Sequence, residues 1–385
     1  MLAYFIRHLH SRLFSIENSR KMKKSGISQQ QIARDLGVSQ TLVSIVLNGR
    51  KKGVSEKAYE RILAHAQRNG YRPKGIASEL MTGPVKVGFI LRAGATLYSQ
   101  SPFFGHVAHG LHEYLSERGA DLVFMGIEDD LDLESLERLR TPGSYAGLVV
   151  LGEVKRPFLQ ALVKLHPRVV SVSFQYSGLC DSILPNEEQA ADLLVQHLMD
   201  LGHTRFAWVG GNKGYQRSLS RFKALKSSLH LRNIEIDPRF CIESESGGDR
   251  RGGGTIAKTI LDCANEGERP TSWICFNGTM ARGVVDLLKT QGVSVPGDIS
   301  VAALDATRVC EEEHPTLTGA STSPELMGRM AAERLLEAES KNGKNFFDMI
   351  LAAELNVRES TGPAADKISK TAKVRKRVAA LGNVR

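Results

Sequence analysis

The sequence predicts an α/β protein in which a small all-helical head of helix-turn-helix type precedes a two-lobed core of parallel sheets. Two short helical patterns joined by a glycine lie between residues 28 and 49, and they predict the head. From Val85 onward, short runs rich in β-branched residues alternate with amphipathic stretches, which is typical of parallel sheets covered by helices. A length of 385 residues is sufficient for two or three domains.

The first helix of the head begins with a capping pattern. Ser28 is followed three residues later by Gln31, so the serine oxygen can accept from a free amide while the glutamine reaches back to the serine N–H. The apolar stripe of this helix consists of Ile32, Ala33 and Leu36. Gly37 follows directly, and we expect it to adopt a positive φ because glycine does so without steric cost.

The second helix has two unlike faces. Ser39 precedes it and can cap its first amides. The side expected to be buried carries Val43, Val46 and Leu47. A different face consists of Gln40, Thr41, Ser44 and Ile45. This second face is small and mostly polar, which suits insertion into the major groove of DNA.

A third helix is predicted from about Ser55 to Asn69, and Gly70 marks its end. Its apolar side consists of Ala58, Tyr59, Ile62, Leu63 and Ala66. A helix with this pattern can close a small three-helix core over the first two helices.

Residues 71 to 83 connect the head to the core. Pro73 breaks the preceding element, and the following IASELM has room for only one to two helical turns, which are not stable alone. We expect this hinge segment to fold when it docks on DNA. The predicted divisions of the chain are an amino-terminal extension (1–22), the head (23–70), the hinge segment (71–83), the core (84–360) and a basic, disordered tail (361–385).

Seven strand patterns define the core. They are VKVGFIL, DLVFMG, AGLVVLG, RVVSVSF, RFAWVGG, SWICFNG and ISVAALD. A length of about 275 residues is large for one doubly wound sheet, so we expect two Rossmann-like lobes. The lobes are predicted at roughly residues 84–182 and 183–318, with residues from about 319 to 335 crossing back. A cleft between such lobes is the expected place for a small ligand.

Positive charge is concentrated at the two ends of the chain. Residues 1–83 carry 15 Lys and Arg against 5 Asp and Glu, and residues 361–385 carry 7 against 1, whereas the whole chain has a net charge of +9. The segment between them is therefore acidic. A localised basic module is typical of phosphate binding, so double-stranded DNA is the expected partner. Binding to a membrane surface would need a long amphipathic helix with a bulky apolar face, which residues 21–83 do not offer.

The cysteines and the first residues favour the cytoplasm. Five widely spaced cysteines without a C-x-x-C pair indicate neither a disulfide framework nor a zinc site. The apolar start of the chain, residues 1–16, is interrupted by Arg7, His8, His10 and Arg12, unlike the core of a signal peptide. No apolar run is long enough to span a bilayer.

Motifs of catalysis are not found. The chain has no G-x-S-x-G elbow, and its glycine-rich stretch at residues 250–255 lacks the ending of a phosphate loop. We therefore expect no enzymatic activity, no cofactor and no metal. The alternative is a small-molecule-binding or enzymatic α/β protein whose amino-terminal helices serve only assembly. A regulator and an assembly module differ in the salt dependence of duplex binding.

The order and spacing of several motifs resemble the LacI/GalR (lactose-repressor) family over residues 26 to about 360. These motifs include VSQTLVSIVLNG, IASELMTG, SPFFGHVAHGLHEYLSERG, LGHTRFAWVGG and VSVPGDISVAALD. The resemblance implies a homodimer whose paired heads bind a pseudo-palindromic operator, and a periplasmic-binding-protein-like core that senses a small molecule. It also implies a transcriptional regulator, more often a repressor, associated with the bacterial nucleoid when bound to DNA.

The resemblance assigns DNA contacts residue by residue. Base-reading positions of the family correspond to Gln40, Thr41 and Ile45. Gln40 suits adenine, and Thr41 suits an acceptor or a thymine methyl. Ile45 departs from the arginine of many relatives, so either it contacts a thymine methyl or it packs on the first helix. The residues expected at phosphates, where they can also act as helix caps, are Ser39, Ser44 and Asn48.

The hinge segment resembles the family's hinge helix, with Ala77 and Leu80 at the positions that enter the minor groove. Leu80 is the expected wedge between base steps. Such a wedge costs a few kcal/mol of unstacking and is offset by contacts of the bent duplex. A linker hydrophobe without a DNA role is the alternative, although the polar segment around Leu80 offers no core to join.

The effector site departs from the family pattern in two places. Ser218 stands where sugar- and purine-binding members have an arginine, and Gly278 stands where they have an aspartate. The residues that can still contact an effector are Phe103, Phe104, Arg217, Asn277 and Asp305. Without the usual cation and carboxylate, we expect either a ligand other than an ordinary monosaccharide or an empty pocket with constitutive DNA binding.

An extension before a compact head is unexpected, and Met22 lies directly before the basic start of the head. We predict that translation begins at Met22. The intact mass of the natively expressed protein tests this prediction, and a mass that includes residues 1–21 would refute it.

Overall fold

The computed structural model describes residues 27–47, 53–69, 71, 85–92, 94, 102–132, 136, 139, 145–166, 168–245, 248–265, 267–305, 307–337 and 345–364. The predicted extension, the basic tail beyond residue 364 and all of the hinge segment except Tyr71 lie outside these ranges. The chain divides into two compact units, with the main boundary between Gly83 and Pro84.

The described part of the head contains three helices, α1 (Gln29–Leu36), α2 (Gln40–Leu47) and α3 (Glu56–Arg68). Ser28 Oγ accepts from the Gln31 amide at 3.1 Å, which confirms half of the predicted capping box. The other half is wrong, because the Gln31 side chain donates to Asp35 Oδ1 at 2.7 Å instead of reaching back to Ser28. Gly37 adopts a φ of +64°, as predicted.

The core of the head is formed by one face of each helix. Its buried members are Ile32, Ala33, Val43, Val46, Leu47, Ile62, Leu63, Ala66 and Tyr71. Tyr71 was predicted in the hinge segment, but it is only 5% exposed and its hydroxyl accepts from Gln29 Nε2 at 2.7 Å. The ring of Tyr71 is large enough to add substantial apolar area to a small core, which explains why it packs with the helices rather than with the linker.

The first lobe of the core is a six-stranded parallel sheet flanked by helices. Its strands are β1 (Val85–Leu91), β2 (Ala120–Ile127), β3 (Gly147–Leu151), β4 (Val169–Val172), β5 (Asp181–Pro185) and β11 (Asp348–Leu351), in the order β11-β5-β4-β3-β1-β2. Its helices are α4 (Phe103–Ser116), α5 (Arg156–Leu165) and α10 (Pro324–Glu337).

The second lobe is a similar sheet with one antiparallel edge. Its strands are β6 (Phe206–Asn212), β7 (Cys241–Ser244), β8 (Ser272–Cys275), β9 (Ser300–Ala303), β10 (Thr318–Ser321) and β12 (Glu354–Asn356), in the order β12-β10-β9-β8-β6-β7. Only the pairing of β12 with β10 is antiparallel among the described strands. Its helices are α6 (Glu187–Asp200), α7 (Gln216–His230), α8 (Arg250–Asp262) and α9 (Gly278–Thr290).

The described chain passes between the lobes three times, after β5, after β10 and after β11. The predicted lobe boundary at 182/183 is therefore wrong, because it falls inside β5. The predicted crossing at 319–335 is too long, since Met327, Ala331 and Leu335 of α10 already belong to the core of the first lobe. The sequence missed β5, β7, β10, β11 and β12 because these strands are short and mix polar with apolar residues.

The crossing of α4 and α10 requires glycine. A Cβ atom on Gly110 would overlap the backbone of Glu325, and one on Gly328 would overlap the backbone of Val107. The two helices therefore approach at backbone distance, which ties a late segment of the chain to the first lobe. None of the helices in the described part of the chain is long and apolar enough to cross a membrane.

A buried histidine anchors the end of the described chain in the second lobe. His203 is 2% exposed, with Nδ1 at 2.9 Å from Thr271 Oγ1 and Nε2 at 3.0 Å from both Ser300 Oγ and the Gly362 carbonyl. Burial holds the pKa of His203 below its usual value. The folded protein thus keeps this imidazole neutral while the unfolded chain can protonate it.

We predict that the core loses stability as the pH falls below about 6.5, because the unfolded state then binds a proton that folded His203 excludes. One such site contributes a slope of up to about 1.4 kcal/mol per pH unit. His203→Gln should make the decline shallower in urea unfolding between pH 7.5 and 5.5, although burial also lowers the pKa of His166 and His197 and leaves a residual slope.

The matched control is His230→Gln, because His230 is exposed near the end of α7. It should leave the pH dependence of unfolding unchanged. An equal slope for wild type and His203→Gln would contradict the prediction.

Candidate nucleic-acid interface and ligand cleft

The open face of α2 carries the predicted base-reading residues. Gln40 and Thr41 are exposed in the first turn, and Ser44 and Ile45 are half-buried one turn later. The apolar residues assigned to the head core, within the part of the head that the structure describes, do not include Ile45. These four residues therefore lie side by side on one surface, while Val43, Val46 and Leu47 are buried.

The amino-terminal end of α2 presents its amides without a neighbouring acid. Ser39 Oγ accepts from the Leu42 amide at 3.2 Å, so Ser39 acts as a helix cap. The first turn of α2 contains no acidic residue. Because free amides and the helix dipole favour negative charge, this end is compatible with a nearby phosphate.

The acid closest in sequence to this face is held inside the head. Asp35 accepts from Gln31 at 2.7 Å and lies 3.1 Å from His65 Nε2, and these hydrogen bonds hold its pKa below the usual range. Its carboxylate is thus occupied by α1 and α3. Asn48, Ala77 and Leu80, the remaining predicted DNA contacts, lie outside the described residues.

Phe103 and Phe104 begin α4 at the edge of the first lobe. They are 7% and 9% exposed, and their rings meet edge to face with centroids 5.5 Å apart. The Arg217 guanidinium, in the first turn of α7 in the second lobe, lies 4.2 Å from the centroid of Phe103. The structure therefore brings these predicted cleft residues together across the two lobes.

In a second arginine–aromatic contact the arginine comes from the first lobe and the ring from the second. The Arg92 guanidinium, directly after β1 of the first lobe, lies 5.0 Å from the ring centroid of Tyr215 in the second lobe. Such contacts between a cation and an aromatic face contribute about 0.5–1 kcal/mol when exposed and more when desolvated. The two lobes thus meet through a reciprocal pair of arginine–aromatic contacts.

Two arginines of α7 share one carboxylate. Arg217 Nε donates to Glu187 Oε1 at 3.2 Å, and Arg221 Nε donates to Glu187 Oε2 at 2.9 Å. Arg221 Nη1 also donates to the Phe276 carbonyl. Burial, followed by the charge of Arg221, lowers the pKa of Arg217 to about 10. Because this pKa stays well above 7, Arg217 remains charged near neutral pH.

Asn277 and Asp305 meet at the beginning of α9, where both have structural hydrogen bonds. Asn277 Oδ1 accepts from the Met280 amide at 2.8 Å, and its Nδ2 donates to the Gly248 carbonyl at 2.9 Å. Asp305 accepts from the amides of Gly278 at 2.9 Å and Thr307 at 2.7 Å. These two predicted effector residues therefore shape the cleft by holding a helix terminus, and their contact with a ligand stays a prediction.

Packing explains both departures from the family pattern. A Cβ atom on Gly278 would lie 2.6 Å from Val309 Cγ1 and 2.7 Å from Cys310 Sγ, so an aspartate does not fit there. Ser218 is fully buried and donates to Glu243 Oε1 at 3.2 Å. Position 218 is therefore closed to an arginine that reaches the cleft.

The sequence missed Glu187 and the role of Arg221. No motif in the sequence indicates a role for Arg221, yet its side chain is 4% exposed and donates to Glu187 and to the Phe276 carbonyl. The spacing of Arg217 and Arg221 by four residues on a predicted helix was the available signal, because such residues share a face. Glu187 could not be placed, since it follows β5, a strand that the sequence did not reveal.

Comparison with known proteins agrees with this architecture. Residues 195–361 match the model of the periplasmic binding protein-like domain family. The chain is 28% identical over 338 residues to the HTH-type transcriptional repressor PurR of Vibrio vulnificus, covering 86% of this chain and 97% of that protein. It is 25% identical to the ribose operon repressor of Haemophilus influenzae, covering 86% and 98%.

Solved structures show the same fold. The lac repressor dimer bound to operator and the anti-inducer ONPF superposes with a TM-score of 0.61 at 21% identity, covering 88% of this chain and 100% of that chain. A complex of the transcriptional regulator CelR with cellobiose gives a TM-score of 0.60 at 21% identity, covering 87% and 99%.

The named relatives are transcriptional repressors, and their similarity covers 86% of this chain. This extent agrees with the helix-turn-helix geometry of α1 and α2 and with the paired parallel sheets. The chain is a DNA-binding transcriptional regulator whose sequence and fold are similar to those of the LacI/GalR family.

Proposed function

We propose that the protein acts in the cytoplasm as a repressor that binds a pseudo-palindromic operator as a homodimer, under the control of a small molecule in the cleft between the lobes. The observation that carries this proposal is the face of α2 formed by Gln40, Thr41, Ser44 and Ile45, which is open in a head whose other apolar side chains pack inward. The names of the PurR and ribose operon relatives support repression.

The base contacts follow from the chemistry of this face. The amide of Gln40 can form paired hydrogen bonds with adenine, and Thr41 can bind an acceptor or a thymine methyl. The half-buried Ile45 offers an apolar surface to a thymine methyl. Ser39 and Ser44 are proposed phosphate contacts that fix the register of the helix, together with Asn48.

The short reading helix of the head favours a homodimer. One reading helix of eight residues reaches only a few base pairs, and two heads on adjacent major grooves double the number of specific contacts. The lac repressor, whose fold this chain shares, is named as a dimer bound to operator. Ala77 and Leu80 of the hinge segment are proposed to enter the minor groove between the two heads.

The competing function is an α/β small-molecule-binding protein or enzyme with a helical assembly module. Such a module has no reason to leave a polar reading face open, and an assembly helix usually presents an apolar one. The named relatives are repressors rather than enzymes.

The proposal predicts that affinity for duplex DNA falls steeply with salt, by about 0.9 in log K per log salt for each phosphate contact. Operator fragments selected from genomic DNA with the full-length protein provide the ligand for fluorescence anisotropy. A salt-independent affinity, or no binding at low ionic strength, would refute DNA binding and favour the assembly module.

Gln40→Ala should reduce discrimination between the selected operator and random duplex about 5- to 150-fold, because a bidentate base contact is worth about 1–3 kcal/mol. The salt slope should hardly change, since no phosphate contact is lost. Gln30→Ala is the matched control, because Gln30 is exposed, has the same side chain and lies on α1 rather than α2. Equal discrimination by wild type and Gln40→Ala would contradict the base contact.

Leu80→Glu should abolish specific operator binding while leaving the dimer intact, because a carboxylate cannot enter between stacked bases and is repelled by phosphates. Gel-shift titration measures binding, and sedimentation measures the oligomeric state. Wild-type affinity of Leu80→Glu would count against the wedge, and Leu80→Ala separates the loss of the wedge from added charge.

A further inference from the structure

Two arginines at one point of the cleft have one carboxylate in direct contact, and the charge of Asp305 also acts on Arg217 from nearby. Arg217 and Arg221 share the single carboxylate of Glu187, whose side chain is 14% exposed. The nearby carboxylate of Asp305 already accepts from two backbone amides, those of Gly278 and Thr307. Two guanidinium groups are therefore balanced by one carboxylate in direct contact.

Arg217 is the arginine whose hydrogen bonding is incomplete. Its Nε donates to Glu187, but its Nη2 is buried and has no hydrogen-bond partner among the described residues. Arg221, by contrast, is engaged both with Glu187 and with the Phe276 carbonyl. Because a buried N–H without a partner is unfavourable, Arg217 has a place for an acceptor.

The surroundings of Arg217 favour a charged acceptor over a neutral one. The guanidinium carbon of Arg217 lies 4.2 Å from the ring centroid of Phe103, and the arginine side chain is 21% exposed. An apolar surface of this kind lowers the local dielectric and strengthens an ionic hydrogen bond. The planar fork of a guanidinium matches carboxylate and phosphate oxygens.

A third arginine, Arg92, lies at the junction of the two lobes. Arg92 lies against Tyr215 of the second lobe, and a Cβ atom on Gly152 would lie 2.8 Å from both Arg92 Cδ and Phe104 Cζ. Glycine at position 152 thus leaves room for the Arg92 side chain beside the ring of Phe104. Positive charge comes from both lobes, so an anion between them would attract both.

We propose that the small molecule that controls this protein carries an anionic group, a carboxylate or a phosphate, and that Arg217 binds this group in the cleft. This inference rests on the proposed function, in which the cleft receives an effector. Gly278 and Ser218 support it, because packing at one and the hydrogen bond to Glu243 at the other remove the side chains that a neutral polyol would use.

Thermal unfolding of the full-length protein with matched ligand pairs tests the proposal. The pairs are glucose with glucose 6-phosphate, glucose with gluconate and ribose with ribose 5-phosphate, and inorganic phosphate serves as the minimal probe. All samples have the same ionic strength, set with sodium chloride. We expect the anionic member of a pair to raise Tm and the neutral member to leave it unchanged, and the gluconate and phosphate arms distinguish the two anionic groups.

Variants connect the effect to Arg217. Arg217→Gln should weaken binding of the anion at least about tenfold, since it removes the charge and the fork. Arg217→Lys keeps the charge without the fork, so it should bind with intermediate affinity. Lys223→Gln is the matched control, because Lys223 is exposed on the same helix and its loss changes the net charge equally. Circular dichroism verifies that each variant is folded.

Three results would overturn the inference: equal effects of the neutral and anionic members, no stabilisation by any of these anions, or full stabilisation of a folded Arg217→Gln. Operator binding is measured on the same preparations. Intact operator binding without an anion effect refutes this inference alone. Arg217-dependent anion binding by a protein that ignores duplex DNA refutes the proposed function and leaves the anion site in place.

Discussion

The three passages of the chain between the lobes are the constraint on which the core depends. Each leaves the carboxyl end of a parallel strand, β5, β10 or β11. The connecting segments bind one another, since Thr322 Oγ1 donates to the Leu351 carbonyl at 2.8 Å and the Asn186 amide donates to the same carbonyl at 3.0 Å. These hydrogen bonds hold the connecting segments together, so the strand ends of both lobes stay adjacent. The first turns of α4 and α7 are therefore close enough for Arg217 to contact the ring of Phe103.

The chemistry of the cleft follows from this adjacency and from packing behind it. Val309 and Cys310 occupy the volume that a side chain at position 278 would need, and Glu243 holds Ser218. Glu187 at the start of α6 and Arg217 and Arg221 on α7 then supply charged groups to the cleft. Arg92 after β1 and Asp305 after β9 add further charge. A binding site of this fold can therefore change its ligand class without a change of backbone topology. The strand ends fix where the site lies, and the side chains at the helix starts decide which ligand groups it binds.

The head depends mainly on local interactions. Its helices, the glycine turn and the buried faces could be predicted because capping, positive φ and helical periodicity act over a few residues. The errors arose where a side chain had a choice of partners. Gln31 pairs with Asp35 one turn away instead of completing the capping box, and Tyr71 joins the head core instead of the linker.

The sequence by itself determined the fold class, the mostly polar face of α2, seven of the described strands and several cleft residues. Each of these has a periodicity or a motif that neighbouring residues impose. Only the tertiary structure decided five short strands, the lobe to which α10 belongs and the pairing of Glu187 with Arg217 and Arg221. The five strands are β5, β7, β10, β11 and β12. Those features depend on residues distant in sequence, and short strands gain their stability from pairing rather than from any pattern of their own.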